Sequence, residues 1–316
     1  MKRVIMLVVR WSPWLSAGLI LTVMAFATPA FRYPGYWLNL GGQYFAPAAL
    51  ALALTPIILT GGIDLSVGSV AVFASVVIGA LWRDGRWPME WAIAGGIIAG
   101  LIAGLGNGML VSAGIMPLVA TLATRELYRG LALTLSGDAP VTRFPASLGE
   151  LWASSVYGVP LPVAGVGLLF LLTYVLVHRT WIGRMVYAIG DNEVAAEFAA
   201  VPVRRIKLWL YAWSGLVAGL CGAALIMKYG AAKADAEKSL ELTAIACVVV
   251  GGVRVTGGAG HVAGTLLGIV VVAALMGGLG SIAPAWRDTV TGAILVAVAL
   301  GNEASARWLR RHFAPE

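Results

Sequence analysis

Residues 61–70 read GGIDLSVGSV and stand between two apolar runs, 46–60 and 70–82. An unbroken membrane helix does not hold a Gly-Gly pair, an Asp and two Ser at such a depth, because exposed backbone and an unpaired carboxylate are costly in hydrocarbon. The fold must therefore bury or solvate this break. A second break, GGVRVTGGAG at 251–260, follows the apolar run 242–250 and precedes another at 262–279. Paired Gly-rich interruptions, one in each half, point to a transporter built around a central pathway. The residues that carry this reading are Gly61, Gly62, Asp64, Ser66 and Gly68 in the first break, and Gly251, Gly252, Gly257 and Gly258 in the second.

Composition places the breaks in a membrane. Of the 316 residues, 59% are hydrophobic and only 12% charged, with a mean hydropathy of +0.87. A soluble domain with so little polar surface would aggregate. The fold expected is all-α, a polytopic membrane protein with 1–316 as one transmembrane permease domain. At about 20 apolar residues per span, about ten full or partly broken helices are expected. They fall near 11–28, 42–60, 66–82, 90–112, 115–136, 160–179, 208–228, 240–252, 261–280 and 284–300, the eighth being short. The first run follows Lys2, Arg3 and Arg10 and is read as a retained helix, not a cleaved leader. The formal charge of +7 sits in loops and at segment ends, as the positive-inside rule requires, so nucleic acid is not an expected partner. Cys221 and Cys247 lie in apolar runs without a CxxC or a nearby His, which indicates neither a disulfide framework nor a metal site.

An even number of spans puts both termini on one side, and their Lys and Arg residues make that side cytoplasmic. The loop 178–207 falls there too, with Arg179, Arg184, Arg204, Arg205 and Lys207. On the outer side the longest loop, 137–160, carries Trp152 and Tyr157, which suit either headgroup anchoring or docking of an external partner. The cytoplasmic loop reads GRMVYAIGDNEVAAEFAAVPVRRIKLW over 183–209. Asp191 or Asn192 can cap a short helix through Glu193, Ala195, Ala196, Glu197, Phe198 and Ala199, which Pro202 ends. Its physics allows two roles. It can lie on lipid headgroups, or it can insert into a cytoplasmic protein with Ala195, Ala196, Phe198 and Ala199 as the contact face.

Four stretches occur in an order that resembles one family: GGIDLSVGSV, MPLVATLATRELYRGLAL at 116–133, GRMVYAIGDNEVAAEFAAVPVRRIK, and LELTAIACVVVGGVRVTGGAGHVAGTLLG at 240–268. Together they make residues 40–300 similar to the permease subunits of ribose-type ABC sugar importers, which include ribose, galactose, xylose, rhamnose and autoinducer-2 systems. The resemblance implies a homodimer, or a heterodimer with a related permease, in the bacterial inner membrane. It also implies a periplasmic sugar-binding protein outside and separate cytoplasmic ATPase subunits inside, which would carry ATP and Mg while this chain binds no cofactor. By position, Asn192, Glu193, Ala195, Ala196, Glu197 and Phe198 correspond to the coupling helix that seats on the ATPase. The chain departs from the family at Ala199 and Ala200, where a Gly is common, at Pro202, and at Arg254.

No G-x-x-x-x-G-K-[ST] phosphate loop is present, and His178, His261 and His312 lack the spacing of a HExxH site, so no enzyme activity is expected of the chain. Asp64 and Ser66 read more simply as caps of a helix starting at the break than as a base and nucleophile. Among ionisable residues near the spans, Glu126 and Arg129 are three apart on one helix and can pair. Glu241 favours the positive end of the eighth helix. An ion-coupled secondary sugar carrier, the alternative reading, would use Asp64 or Glu241 as its coupling carboxylate, but would not need the coupling-helix loop. Ser69, Asn107, Ser112, Thr121 and Thr124 can offer hydrogen bonds to a hydroxylated solute or act as glue between helices. If close helix approach at the breaks matters, Gly62→Val and Gly258→Val each abolish transport, and full uptake in both variants would refute that assignment.

Overall fold

The computed structural model describes residues 14, 17–26, 28–137, 139–236 and 239–282, with isolated positions 289, 292, 293 and 296. Its helices are α1 (Ala17–Phe26), α2 (Pro34–Gln43), α3 (Phe45–Leu59), α4 (Val67–Arg83), α5 (Met89–Ser112), α6 (Pro117–Ser136), α7 (Ala146–Ala153), α8 (Leu161–Arg179), α9 (Trp181–Asp191), α10 (Glu193–Phe198), α11 (Val203–Tyr229), α12 (Leu240–Val250) and α13 (Val262–Ile282). A two-stranded hairpin, β1 (Ser155–Val156) with β2 (Val159–Pro160), is the only sheet among the described residues. The chain is an all-α polytopic membrane protein. Most of the last expected segment, 284–300, the start of the first and both termini lie outside the described residues.

Helices α5, α8 and α11 are each long and apolar enough to cross a membrane, and α2 with α3 forms a further span bent by 68°. Helix α6 has the length but carries Arg125, Glu126 and Arg129 in its middle. Helices α4 and α12 are shorter because each begins or ends at a Gly-rich break. The sequence treats the breaks as interruptions between spans, and the structure makes them the ends of part-length helices folded into the bundle.

Close helix approach builds the centre. Gly96, Gly100, Gly104 and Gly108 recur every fourth residue on α5, so they share one face. A Cβ on Gly100 would lie 2.7 Å from the Gly219 Cα, and one on Gly104 would lie 2.8 Å from the Gly215 Cα. The α5 and α11 backbones therefore touch, the arrangement by which small residues let membrane helices gain dispersion contacts without a hydrophobic driving force. Farther along α11, a Cβ on Gly222 would lie 2.7 Å from the Ala71 carbonyl of α4. Helix α3 runs through the middle with Leu50, Leu52, Leu54, Ile57 and Ile58 buried. It is tied to α13 by a hydrogen bond of 2.9 Å between the Thr55 and Thr265 hydroxyls. The 137–160 region holds α7 and the hairpin, with Trp152 edge-on to Phe45 of α3 at 5.6 Å and Tyr157 fully exposed.

Gly104→Val is expected to destabilise the protein by at least about 1–3 kcal/mol, since the new side chain occupies space held by the α11 backbone. Gly130 of α6 has open space around it. Gly130→Ala is expected to leave stability unchanged or slightly raised, and thermal unfolding in one detergent compares the two variants.

Candidate functional site

In break 1, residues 61–66, Gly62, Asp64 and Ser66 are buried, and three helices satisfy its polar groups. The Asp64 carboxylate, 2% exposed, accepts the Ser66 backbone N–H at 2.9 Å and the Ser66 hydroxyl at 2.6 Å on one oxygen. Ser214 of α11 donates to the other oxygen at 3.3 Å. Asn107 of α5 donates to the Ser66 hydroxyl at 2.7 Å. From α6, Thr121 accepts the Leu65 N–H at 3.1 Å and lies 3.2 Å from the Ile63 carbonyl. Burying a carboxylate this deeply costs several kcal/mol unless hydrogen bonds satisfy its oxygens, and here both are engaged. The capping expectation fails for both residues: Asp64 takes the N–H of Ser66, which precedes α4, and the Ser66 hydroxyl turns back to Asp64, so the first turn of α4 has no side-chain cap.

Break 2, residues 251–261, folds back against break 1. The Gly258 N–H donates to the Leu59 carbonyl at the end of α3, 3.0 Å away. A Cβ on Gly257 would lie 2.7 Å from the Gly61 nitrogen and 3.0 Å from the Gly190 Cα. Gly61, Gly257 and Gly258 all have positive φ, of 78°, 86° and 73°, so these turns require the conformations that glycine adopts without strain. Gly252, with φ of 82°, turns the chain out of α12. Gly251 lets α12 and α13 close on each other, since a Cβ there would meet the Thr265 nitrogen at 2.7 Å.

The third member of this junction is α9, the arm that leads into α10. Gly190, in the last turn of α9, faces both the Leu59 carbonyl and the Gly258 nitrogen, leaving no room for a side chain. Tyr187 of the same helix donates to the Gly260 carbonyl at 2.8 Å. His178, at the end of α8, accepts the Val262 N–H at 3.2 Å and stacks on His261 with ring centroids 3.8 Å apart. Sequence reasoning set the histidines aside as far apart in the chain and gave no role to Gly190 or Tyr187. A glycine inside the helical pattern leading to Asn192 was the signal available for Gly190.

One residue beyond α9, Asn192 accepts the Ala195 N–H at 3.0 Å and so caps α10, as expected. The helix does not run on to Pro202. It ends at Phe198 in a Schellman turn, with Ala200 N–H on the Glu197 carbonyl and Val201 N–H on the Ala196 carbonyl, both at 3.0 Å. Ala200 sits at the left-handed position, φ 60°, where a glycine would be unstrained. Glu193 pairs with Lys207 of α11 at 2.6 Å, fixing the loop against the following span. The contact face needs correction at Ala196, which is 4% exposed and points into the protein. The outward face is Val194, 62% exposed, Phe198, 88% exposed, with Ala195 and Glu197 beside them.

The remaining ionisable residues pair differently from expectation. Glu126 pairs with its neighbour Arg125 at 3.1 Å, not with Arg129. Arg125, absent from the sequence reading, also lies 3.0 Å from Glu241. Glu241 does occupy the first turn of α12, but it is buried against the start of α4, and a side chain at Gly68 would collide with its carboxylate. Gly68 therefore makes room for Glu241. Both carboxylates that an ion-coupled carrier would use are engaged by protein groups. Of the candidate solute contacts, Asn107 and Thr121 hold break 1, Thr124 donates to the Thr121 carbonyl, and Ser112 donates to the Arg204 carbonyl at 2.9 Å, which joins α5 to α11. Ser69, 8% exposed, lines a cleft beside Glu241.

Gly190→Val and Gly258→Val are expected to abolish transport, while Gly62→Val is expected to be the mildest, because Gly62 meets Ile57 and the Tyr211 hydroxyl at 3.2 Å and has an ordinary φ. Initial uptake rates in whole cells order the three. Ala200→Gly is expected to stabilise the end of α10 by up to about 1 kcal/mol, read as slower exchange of the Val201 amide.

The profile of a family described as a branched-chain amino acid transport system permease component matches residues 38–299. The ribose import permease protein RbsC of Bacillus subtilis (strain 168) is 38% identical over 300 residues, covering 93% of this chain and 93% of that protein. The autoinducer 2 import system permease protein LsrD of Yersinia pseudotuberculosis serotype O:1b is 33% identical over 317 residues, covering 97% and 94%. The LsrD protein of Yersinia pestis (strain Pestoides F) matches at the same identity and extent. No solved structure matches the chain. The buried breaks, the capped loop helix and a likeness running the length of both partners agree: the chain belongs to the ABC permease family that includes the ribose and autoinducer-2 import permeases.

Proposed function

We propose that this chain is the membrane-spanning subunit of an ATP-driven importer that moves a monosaccharide or similar hydroxylated solute across the bacterial inner membrane, with both termini in the cytoplasm. The observation that carries the reading is α10. A six-residue helix capped by Asn192 presents Val194 and Phe198 to solvent, and the preceding arm contacts the end of α3 and the second Gly-rich break through Gly190. An exposed Phe on a short, pinned helix is an anchor that fits a pocket on a cytoplasmic partner. ATP and Mg would be held by that separate ATPase, and this chain would carry no cofactor of its own. An external sugar-binding protein would deliver the solute, and a second permease copy or a related chain would complete the path. The names of the relatives, which specify ribose and autoinducer-2 import, support a sugar-like solute over an amino acid.

In the cycle this implies, a loaded binding protein docks outside and ATP closes the ATPase dimer. The closing ATPase pushes on α10. Because α9 has no slack against the end of α3 and break 2, the push reaches the ends of α3, α4, α12 and α13 together, and access switches from one side to the other. The Gly-rich contacts serve here as a bearing between part-length helices.

Capture of the neighbouring-encoded ATPase by the detergent-solubilised chain tests the partnership. Phe198→Asp is expected to reduce capture ~tenfold or more while the protein elutes as a folded species. Ala196→Asp is expected to destabilise the chain instead, since it buries a charge. Undiminished capture by Phe198→Asp would contradict the proposal, and ATP-independent sugar uptake by the purified chain in liposomes would replace it with the secondary-carrier reading.

A further inference from the structure

Beside break 1, α4, α6 and the segment leading into α12 enclose a cleft lined by Gly68, Ser69, Arg129, Ser239 and Glu241. Its enclosed depth of about 20 Å³ holds one water-sized group, the size of a single hydroxyl, and the rest opens outward. Glu241 is 4% exposed, with one oxygen 3.0 Å from the Arg125 guanidinium and the carboxylate seated where Gly68 leaves room. The Arg125 Nε makes no aligned hydrogen bond, so the pair is held by charge and not by directed bonding. Arg129, one turn along α6 from Arg125, has no ion-pair partner among the described residues, although it is half-buried. A guanidinium with no acceptor among the described residues, beside a buried carboxylate already in contact with another Arg, by default marks function in a membrane protein.

We infer that this cleft is a solute subsite on the translocation path, in which Arg129 donates to, and Glu241 accepts from, adjacent hydroxyls of a neutral polyhydroxylated solute. The chemistry selects the class. A cation entering the cleft meets Arg129 and an anion meets Glu241, whereas a vicinal diol presents donors and acceptors together and satisfies both. Ser69 and Ser239 can donate or accept, and so add contacts without adding charge. The Arg125 contact holds Glu241 in place, which makes Arg125 a positioning residue. Nearness to break 1 means that movement of α4 would open or close the cleft. The inference rests on the importer reading and deepens it by naming where the solute is held.

The test uses the complete importer, with ATPase and binding protein, reconstituted in liposomes and supplied with radiolabelled D-ribose. Arg129→Gln and Glu241→Gln are expected to lower initial uptake at least tenfold, with Arg129→Lys retaining part of it. ATPase capture and elution as a folded complex are expected to match wild type in all three. Wild-type uptake together with Arg129→Gln and Glu241→Gln uptake within twofold of it overturns the subsite and leaves the importer reading standing. Loss of ATPase capture along with uptake assigns these residues to folding and also overturns it. Failure of the wild-type importer to accumulate D-ribose with ATP present removes the monosaccharide reading on which the inference stands.

Discussion

Backbone-to-backbone contact between the two Gly-rich breaks is the constraint on which the rest of the structure depends. In hydrocarbon an unpaired peptide group costs several kcal/mol, so a helix cannot simply stop halfway across. Here the stopped ends supply each other: the Gly258 N–H reaches the last carbonyl region of α3 at Leu59, while side chains from α5, α6 and α11 take the polar groups between Gly61 and Ser66. The glycines permit this because any Cβ at Gly257 or Gly190 would sit inside van der Waals contact with the neighbouring main chain. Replacing the contact with a bulky pair would separate the ends and expose what they now satisfy.

From that contact the functional geometry follows. Helix α9 is laid across the junction by Gly190 and Tyr187, and His178 closes it from the end of α8. The next residues form α10, whose cap, Schellman turn and Lys207 pair leave it little freedom of its own. Helix α9 thus meets the point where α3 and α12 end and α4 and α13 begin, and in the proposed cycle it links α10 to the interior. The glycine-lined contact of α5 with α11 holds the two helices whose Asn107 and Ser214 bond break 1.

Much of this was legible before any coordinates. The positions of the breaks, the short eighth helix, the cap at Asn192 and the membrane class all follow from local chemistry: glycine pairs, an Asp in an apolar stretch, an Asn before a helical run. What could not be read was which separated residues meet. Nothing in the spacing of Gly61, Gly190 and Gly257 shows that three distant turns share one point, and nothing near His178 points to His261. Ala196 was assigned outward because its small size suits a contact face, but burial depends on the tilt of a six-residue helix that periodicity over so short a length cannot define. Glu126 was matched to Arg129 by helical spacing, while the geometry chose Arg125, since that side chain also reaches Glu241 on another helix.

The central claim is that the coupling helix and both breaks move as one unit. Hydrogen exchange read by mass spectrometry on the reconstituted importer, with and without ATP and Mg, tests it most directly. The account predicts that nucleotide changes protection in 190–200, 57–66 and 251–262 together, with the α5 and α11 contact unchanged. A change confined to 190–200, with both breaks equally protected in the two states, would contradict it.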